Sequence, residues 1–303
     1  MLSRTKVAII GSGAVGSSIA YAMILRQLPV EILLNDIDAK RAEGEALDLS
    51  DSTFVASTTV RSVPASEVGQ SDIIVITAGA KQNPGESRAN LIDRNYRIMK
   101  SVMGSIQPIN PKAKIIIVAN PVEILCHIAQ KLSGLPRNQV FGSGTFLDSA
   151  RLRLRIAKTL KIHETSIHCY VIGEHGDNQF VAWSSGQAGG ASILSFDEFQ
   201  NADLDAITHE VARKAYEIID RKGATYYGIG ACVANLTESV LYDSARVFPV
   251  SCFDPRAQCY VSTPASLGVN GVQRAIEVPM NESEKEAFNK AVTSIKSITD
   301  KYD

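Results

Sequence analysis

Residues 6–16 read KVAIIGSGAVG, and this stretch decides the fold of the first half of the chain. Its first five residues form a short apolar run that is typical of a buried parallel strand. The glycines at positions 11, 13 and 16 have GxGxxG spacing, and residues 18–24 continue as an apolar helix. Gly11 permits a tight turn, Gly13 lets a pyrophosphate approach the backbone, and Gly16 lets the helix pack on the sheet. The order of strand, turn and helix therefore predicts a dinucleotide site at the helix N-terminus.

A carboxylate at Asp36 narrows the choice of dinucleotide. A second apolar strand at residues 31–34 leads to Asp36, which lies 20 residues after Gly16. At that spacing a carboxylate accepts hydrogen bonds from the adenosine ribose hydroxyls, and it would repel a 2′-phosphate. The pattern predicts NAD as cofactor rather than NADP. The alternative is a glycine-rich turn followed by a helix-capping aspartate.

The strand pattern is repeated twice in the first half. Residues 73–76 and 115–118 are apolar runs followed by turn residues, and residues 89–106 between them have helical spacing. Alternating strands and helices predict a doubly wound parallel sheet of the Rossmann type, whose ligands lie beyond the carboxyl ends of the strands. The residues predicted to bind the cofactor there are Gly11, Gly13, Val15, Gly16, Asp36, Thr77, Ala78, Gly79, Val118 and Asn120.

The composition is that of an ordinary globular protein. The chain has 303 residues, 45% of them hydrophobic and 21% charged, with a net charge of -1. The length predicts two domains, or one domain with a large annex. The charge balance argues against nucleic acid or an anionic membrane as a partner. No apolar run approaches the roughly 20 residues of a spanning helix.

The cysteines and the N-terminal segment predict the compartment. The five cysteines are odd in number and include no CxxC pair, which predicts free, buried thiols in a reducing compartment. The first apolar run is too short for a signal peptide and leads directly into a strand. We therefore expect a cytoplasmic protein.

A histidine follows an apolar strand in the second half of the chain. Residues 171–177 read VIGEHGD, so His175 stands between glycines and carboxylates. A histidine exchanges a proton near neutral pH because its unperturbed pKa is about 6.5, and the glycines let a ligand come close. His175 is a candidate acid/base group. The alternative is a structural histidine at a strand end.

An aspartate and an arginine at the start of one predicted helix could serve this histidine. Asp148 and Arg151 have i, i+3 spacing and share a helix face. They form an ion pair, or else Asp148 orients His175 while Arg151 binds an anion through two parallel hydrogen bonds. Arg153 points roughly 200° away from Arg151 around the helix. The two arginines therefore cannot line the same pocket.

A polar segment at residues 79–88 is rich in turn formers. It leaves a strand end and enters a helix, and its glycines and proline are suitable hinges for a lid. Arg88 stands at its trailing edge. The alternative for Arg88 is a solvated surface arginine.

Several motifs together resemble the L-lactate/malate dehydrogenase family, and within it the NAD-dependent L-lactate dehydrogenases of bacteria. The resemblance extends over essentially the whole chain, with the motifs in order. These motifs are IGSGAVGSS, ITAGAKQNPGESR, VANPVEIL, GSGTFLDSARLR, VIGEHGD, KGATYYGIG and VNGVQRAIEVPMNESEKEAF.

The resemblance implies a catalytic set for reducing pyruvate to L-lactate with NADH. His175 would be the acid/base, and Asp148 would hold it and stabilise its charged form. Arg151 would bind the substrate carboxylate, because its planar guanidinium matches a carboxylate. Arg88 would polarise the substrate carbonyl once the lid closes.

The resemblance also implies the residues that select the substrate. Asn120 would position the carbonyl and the nicotinamide, while Gln82 and Thr225 would line the space for the third substituent. A malate dehydrogenase of this family would have an arginine where this chain has Gln82. A second, buried carboxylate would be unpaired against a glutamine, which is costly. The implied substrate is a small neutral 2-oxo acid such as pyruvate.

Arg153 and His168 match positions that bind fructose 1,6-bisphosphate in allosteric bacterial lactate dehydrogenases. The resemblance implies activation by that effector, and a homotetramer, since two subunits must supply the site. His168 lies on the apolar run before His175. If the run is extended, up to roughly 20 Å separates the two histidines. The alternative is a solvated arginine and an ordinary strand histidine.

The second half predicts a mixed α+β domain for substrate binding and catalysis at residues 146–303, after a NAD-binding domain at residues 1–145. Its predicted strands, largely antiparallel, are residues 165–172, 246–253, 258–266 and 272–278. Its predicted helices are residues 203–221, 227–244 and 282–300. None of the five histidines is spaced as a metal-binding pair, so no metal is expected.

Three other functions remain possible from the sequence. Phe146 and residues 179–183 resemble the broader L-2-hydroxyacid dehydrogenases of the hydroxyisocaproate type, which leaves a wider pocket open, although the lid shows no lengthening of the kind associated with them. A malate dehydrogenase is disfavoured by Gln82. A non-catalytic nucleotide-binding protein of the same fold would require a broken catalytic set, whereas the four residues of that set are intact.

Overall fold

The computed structural model describes residues 4–80 and 87–302. The strands in the described residues are β1 (Thr5–Ile10), β2 (Val30–Asn35), β3 (Thr59–Ser62), β4 (Ile73–Ile76), β5 (Lys114–Ile117), β6 (Val140–Gly142), β7 (Ile167–His168), β8 (Val171–Gly173), β9 (Gln179–Val181), β10 (Gln187–Ala188), β11 (Ala191–Ser192), β12 (Arg246–Asp254), β13 (Cys259–Gly268) and β14 (Gly271–Ala275). The helices are α1 (Ala14–Leu25), α2 (Ala39–Asp51), α3 (Ala65–Val68), α4 (Arg88–Ser105), α5 (Val122–Ser133), α6 (Phe146–Leu160), α7 (Asp197–Gln200), α8 (Leu204–Lys222), α9 (Tyr227–Leu241) and α10 (Glu282–Thr299).

The first six strands form the parallel half of the main sheet. Their order is β3-β2-β1-β4-β5-β6, and each neighbouring pair is parallel. The central strands β1, β4 and β5 are apolar after the polar residues that begin β1 and β5, because helices cover both faces of the sheet. The doubly wound sheet predicted from the sequence is confirmed. All its carboxyl ends lie at one edge, where Gly11 follows β1 and Asp36 follows β2.

The second half extends the same sheet with antiparallel strands. Strand β12 pairs with β6 at Ser251 and Gly142, and β13, β8 and β9 follow in that order. The long hairpin of β12 and β13 is antiparallel throughout, as predicted. This extension places β8, which precedes His175, on the same sheet as the cofactor strands.

The prediction of a single strand at residues 165–172 is wrong. Residues Glu164–Ser166 form a 3-10 helix, β7 belongs to a small sheet with β10 and β11, and β8 belongs to the main sheet. The chain crosses between the sheets at Cys169 and Tyr170. Ile167, Cys169 and Val171 are all buried and His168 is exposed. Because this alternation continues through the crossing, the two short strands have the pattern of one long strand.

The helices of the second half match the prediction closely. Helix α9 ends at Leu241 instead of residue 244, because Asp243 and Ala245 have φ angles of 49° and 52° that an α-helix does not adopt. Helix α10 begins with a capping box between Asn281 and Glu284 and buries Ile295 in the core. No helix in the two described ranges is long and apolar enough to cross a membrane.

Candidate active site

The glycine loop after β1 has the shape that a dinucleotide phosphate requires. Gly11 has a φ of 97°, and a Cβ there would lie 2.6 Å from Thr77 Oγ1. A Cβ on Gly16 would lie 2.0 Å from the carbonyl oxygen of Gly11. A Cβ on Gly13 would meet nothing within 4 Å. The first and third glycines thus permit close packing within the protein, and Gly13 leaves open space in front of the loop.

The start of α1 and the end of β2 face this space. Gly13 is the N-cap of α1 and provides no side-chain cap, so N–H groups of the first turn remain available to an anion. Asp36 Oδ2 accepts hydrogen bonds from the backbone N of Ser12 at 2.7 Å and from its hydroxyl at 3.2 Å. The loop therefore holds the Asp36 carboxylate next to the glycine turn. These residues fit the NAD that the sequence predicts.

The ends of β1, β4 and β5 are joined by side-chain hydrogen bonds. Thr77 donates through its hydroxyl to the carbonyl oxygen of Gly11 at 2.8 Å. Asn95 of α4 is buried; its Oδ1 accepts from Ala80 N at 2.7 Å, and its Nδ2 donates to the Asn120 carbonyl at 2.9 Å. Asn95 was missed in the sequence, where it stands in a polar helix with no distinguishing pattern. Backbone hydrogen bonds from Thr77 and Ala78 to β1 and from Val118 to β4 place these residues at the same edge of the sheet as Asn120, and their binding of the cofactor stays a prediction.

His175 and Asp148 form the centre of the second part of the site. His175 Nδ1 lies 2.9 Å from Asp148 Oδ2, and Asp148 is 2% exposed. Helix α6 is fixed against β8 because Thr145 donates to the Val171 carbonyl at 2.6 Å and Val171 N donates to Ser149 Oγ at 2.9 Å. The side chain of His175 is 31% exposed, so its ring remains accessible to a ligand.

The charges around His175 favour its protonated form. Burial alone would lower the pKa of His175, but the charge and hydrogen bond of Asp148, with the charge of Glu123, raise it to about 9. Burial alone would raise the pKa of Asp148. The charge and hydrogen bond of His175 and the charge of Arg151 outweigh burial and hold that pKa below its usual range. The pair is therefore an imidazolium and a carboxylate at neutral pH.

Glu123 is a second buried carboxylate beneath His175. It stands on the first turn of α5, and its Oε1 accepts from Ser262 Oγ at 2.6 Å and from His175 N at 3.2 Å. Its Oε2 has no hydrogen-bond partner among the described residues. Burial raises the pKa of Glu123, while the charge of His175 lowers it in part. The sequence did contain a signal for it, a lone acid in the apolar run Val122-Glu123-Ile124-Leu125.

Arg151 lies beside Asp148 on α6. Its Nη1 lies 3.4 Å from Asp148 Oδ1, and its side chain is 14% exposed. Arg151 also borders a cleft of about 710 Å³ between α6 and α8, whose lining includes neither His175 nor Asp148. Since the contact with Asp148 uses one N–H of the guanidinium, other N–H groups remain to bind a carboxylate.

Arg88 lies at the first residue of α4 and pairs with the buried carboxylate of Glu174. Its side chain is 41% exposed. Gln82, on which the substrate argument depends, lies outside the described residues, as does most of the predicted lid. Thr225 is half-buried in the connection between α8 and α9.

The structure gives Arg153 and Arg151 different partners, as their helical spacing predicts. Arg153 Nε donates to the Cys169 carbonyl at 3.3 Å, and its guanidinium carbon lies 4.7 Å from the centroid of the Tyr170 ring. Its Nη2 is buried and has no hydrogen-bond partner in the described part of the chain. His168 is exposed on β7, next in sequence to Cys169.

The residues that suggested a wider pocket have structural partners. Phe146 packs on Phe248 with ring centroids 5.0 Å apart. Trp183 donates through Nε1 to Thr208 Oγ1 at 3.3 Å and packs on Phe199. Gln179 Oε1 accepts from Gly176 N at 3.3 Å.

Comparisons with known proteins cover the chain from end to end. The model of the lactate/malate dehydrogenase NAD-binding domain matches residues 5–142, and that of the lactate/malate dehydrogenase alpha/beta C-terminal domain matches residues 145–303. The chain is 46% identical over 298 residues to L-lactate dehydrogenase A of Rhizopus oryzae, covering 98% of this chain and 93% of that protein. It is 38% identical over 302 residues to L-lactate dehydrogenase of Lacticaseibacillus casei, covering 97% and 93%.

A solved structure shows the same likeness in three dimensions. The crystal structure of a lactate dehydrogenase from a Medee basin deep-sea metagenome library superposes with a TM-score of 0.92 at 37% sequence identity, covering 97% of this chain and 98% of that chain. These likenesses confirm the fold class, the family resemblance and the NAD cofactor predicted from the sequence.

Proposed function

Because the chain belongs to the lactate/malate dehydrogenase family, we propose that it catalyses the reversible reduction of pyruvate to L-lactate with NADH. The observation that carries the proposal is the charged pair of His175 and Asp148, which lies beside Arg151. The relatives and the solved structure reported above are lactate dehydrogenases, which favours this activity over the other 2-hydroxyacid activities.

The residues divide the chemistry between them. When bound, NADH supplies the hydride to the carbonyl carbon. Arg151 binds the substrate carboxylate and sets which face of the carbonyl is presented. Protonated His175 gives its proton to the carbonyl oxygen, and Arg88 stabilises the charge that develops there. In the reverse direction neutral His175 takes the proton from the lactate hydroxyl, and Asp148 stabilises the imidazolium that forms.

The cofactor is proposed to lie along the strand ends from Asp36 to Asn120. The phosphates would face Gly13 and the N-terminus of α1, and the ribose hydroxyls would bind Asp36. Asn120 and Thr225 would border the nicotinamide and the substrate. Gln82 would border the third substituent and exclude a second carboxylate. The other cofactor-binding residues remain those named from the sequence.

The activity is tested by following NADH oxidation with pyruvate, oxaloacetate and 2-oxoisocaproate in parallel. We expect kcat/KM to be highest for pyruvate, with lactate identified as the L-enantiomer. A higher kcat/KM for 2-oxoisocaproate than for pyruvate would assign the chain to the broader L-2-hydroxyacid dehydrogenases. A higher kcat/KM for oxaloacetate than for pyruvate would refute the argument from Gln82. Absence of turnover with all three substrates would favour a non-catalytic nucleotide-binding protein.

We also propose that fructose 1,6-bisphosphate activates the protein at Arg153 and His168, in a homotetramer. The proposal is supported by the buried Nη2 of Arg153, a cationic N–H without a partner among the described residues, close to the surface strand that carries His168. Such a group favours an anion. We expect the effector to lower the half-saturating pyruvate concentration of the wild type and to have no effect on Arg153→Gln. An unchanged wild-type saturation curve would overturn the proposal.

Two further proposals concern organisation and compartment. We place the division between the NAD-binding and substrate-binding domains at residues 145 and 146, near the point where the two family matches meet. We place the protein in the cytoplasm, because its five cysteines are free and buried.

A further inference from the structure

We propose that Glu174 is a positioning residue that holds the guanidinium of Arg88 at the catalytic site. The inference rests on the proposed function, in which Arg88 stabilises charge on the substrate carbonyl oxygen. No role was given to Glu174 in the sequence, where it is the residue before His175. The structure shows it to be one of the most deeply buried charges in the second half of the chain.

Arg88 is the cationic partner of the buried Glu174 carboxylate. The side chain of Glu174 is 1% exposed, and its Oε1 forms an ion pair with Arg88. Its Oε2 accepts a hydrogen bond from Asn178 Nδ2 at 2.7 Å. An ionised carboxylate that is removed from water without a cationic partner is strongly destabilised. The carboxylate therefore favours arrangements in which Arg88 stays beside it.

The loop between β8 and β9 fixes the direction of this carboxylate. Gly173 and Gly176 have φ angles of 101° and 114°, and a Cβ on Gly173 would lie 2.8 Å from the Asn178 carbonyl. This backbone directs two successive side chains to different partners, Glu174 to Arg88 and His175 to Asp148. The acid/base group and the anchor of the arginine therefore stand on one turn.

Glu174 pairs with Arg88 and leaves much of the arginine side chain exposed to solvent. The side chain of Arg88 remains 41% exposed although one Nη is engaged by Glu174. A guanidinium has five N–H donors in a fixed plane, so the unengaged donors are still free to meet a ligand oxygen. The ion pair limits the orientation of that plane. Because Arg151 binds the substrate carboxylate, loss of the anchor should lower kcat more than it raises KM for pyruvate.

A double-mutant cycle on kcat for pyruvate reduction separates positioning from a merely structural role. We expect Glu174→Gln to lower kcat by about 10- to 100-fold, the loss that follows from a small misplacement of a catalytic group. In an Arg88→Gln background the same substitution should change kcat less than about threefold, because the group that it positions is absent. An equal loss in both backgrounds would overturn the proposal.

Two further variants make the cycle decisive. Asp177→Asn removes an exposed carboxylate from the same loop, and we expect it to leave kcat unchanged. Asn178→Ala removes the hydrogen bond that orients Glu174 and covers the case in which Glu174→Gln does not fold. We expect Asn178→Ala to lower kcat only where Arg88 is present. A loss that persists without Arg88 would contradict the proposal.

A chemical readout distinguishes failure of this proposal from failure of the proposed function. Phenylglyoxal modifies accessible arginines, and mass spectrometry measures its rate at Arg88 without any substrate. We expect Arg88 to react several-fold faster in Glu174→Gln than in the wild type or Asp177→Asn. An unchanged rate would refute the anchoring, whatever the enzyme reduces. Faster modification in a protein that does not reduce pyruvate would refute only the proposed function.

Discussion

The cofactor end and the catalytic end of this molecule are built by different means. The cofactor end consists mainly of backbone, with Gly11, Gly13 and the N-terminus of α1 shaping one contiguous loop. The catalytic end consists of charged side chains, with the buried Asp148 and Glu123 brought to the partly exposed His175 from two other elements. Backbone shape gives a binding surface that depends on local sequence. The buried carboxylates raise the pKa of His175, and their positions depend on the complete fold.

The comparison predicts that a change at the catalytic end abolishes turnover and leaves cofactor binding intact. Replacing His175 with Gln removes the proton donor, so kcat for pyruvate should fall by about 10²- to 10⁴-fold. NADH affinity, measured by fluorescence titration, should stay within about threefold. His209→Gln, on the exposed surface of α8, is the matched control. Turnover of His175→Gln at the wild-type rate would remove His175 from the mechanism.

At the cofactor end the largest effect is expected at Gly13. A Cβ there meets no protein atom within 4 Å, so Gly13→Ala should fold normally and place its methyl group in the space for the phosphates. We expect the Kd for NADH to rise by about tenfold or more. Gly104→Ala on α4 is the control, since its Cβ also meets nothing within 4 Å. Unchanged NADH affinity in Gly13→Ala would place the phosphates elsewhere.

A smaller effect is expected from the one carboxylate of the cofactor end. Asp36→Ser removes a negative charge that would repel a 2′-phosphate, so kcat/KM with NADPH should rise by about tenfold while that with NADH falls. Asp38→Asn is the control, because Asp38 caps α2 by accepting from Arg41 N at 3.1 Å and an asparagine can still do so. An unchanged preference for NADH over NADPH would show that Asp36 does not bind the ribose.

The smallest effect on the rate at neutral pH is expected at Glu123. Its negative charge helps to raise the pKa of His175 to about 9, so Glu123→Gln should move that pKa downward. The alkaline fall in the rate of pyruvate reduction should then begin at a lower pH. At pH 6 the rate should change little, because His175 is still protonated there. An unmoved pH profile would limit Glu123 to a structural role.

The glycine loop could be predicted fully because its strand, turn, helix and acid follow one another along the chain. Each of these features is local, and the structure adds only the distances. The sequence predicts one strand in place of β7 and β8, because burial alternates without a break across the crossing between the two sheets. Period alone cannot show to which sheet a strand belongs.

The catalytic end could be predicted only in part. Asp148 and His175 are 27 residues apart in the sequence. The family resemblance predicts their contact, and the structure shows it. Glu123 and Glu174 were missed because their contacts with His175 and Arg88 cross 52 and 86 residues of sequence. A buried acid is recognisable in an apolar helix, but its partner is set by how the helix packs. Tertiary contacts of this kind carry no local pattern.

The most direct test of the central claim is the pH dependence of kcat/KM in both directions of the reaction. In the proposed mechanism a protonated His175, whose pKa is raised to about 9, is the acid for pyruvate reduction, so that rate should fall above pH 9. Lactate oxidation needs the neutral ring, so its rate should rise as pH increases toward 9 and then level off. Opposite trends over one pH range would support His175 as the shared proton donor and acceptor. Trends in the same direction, or two flat profiles, would contradict it.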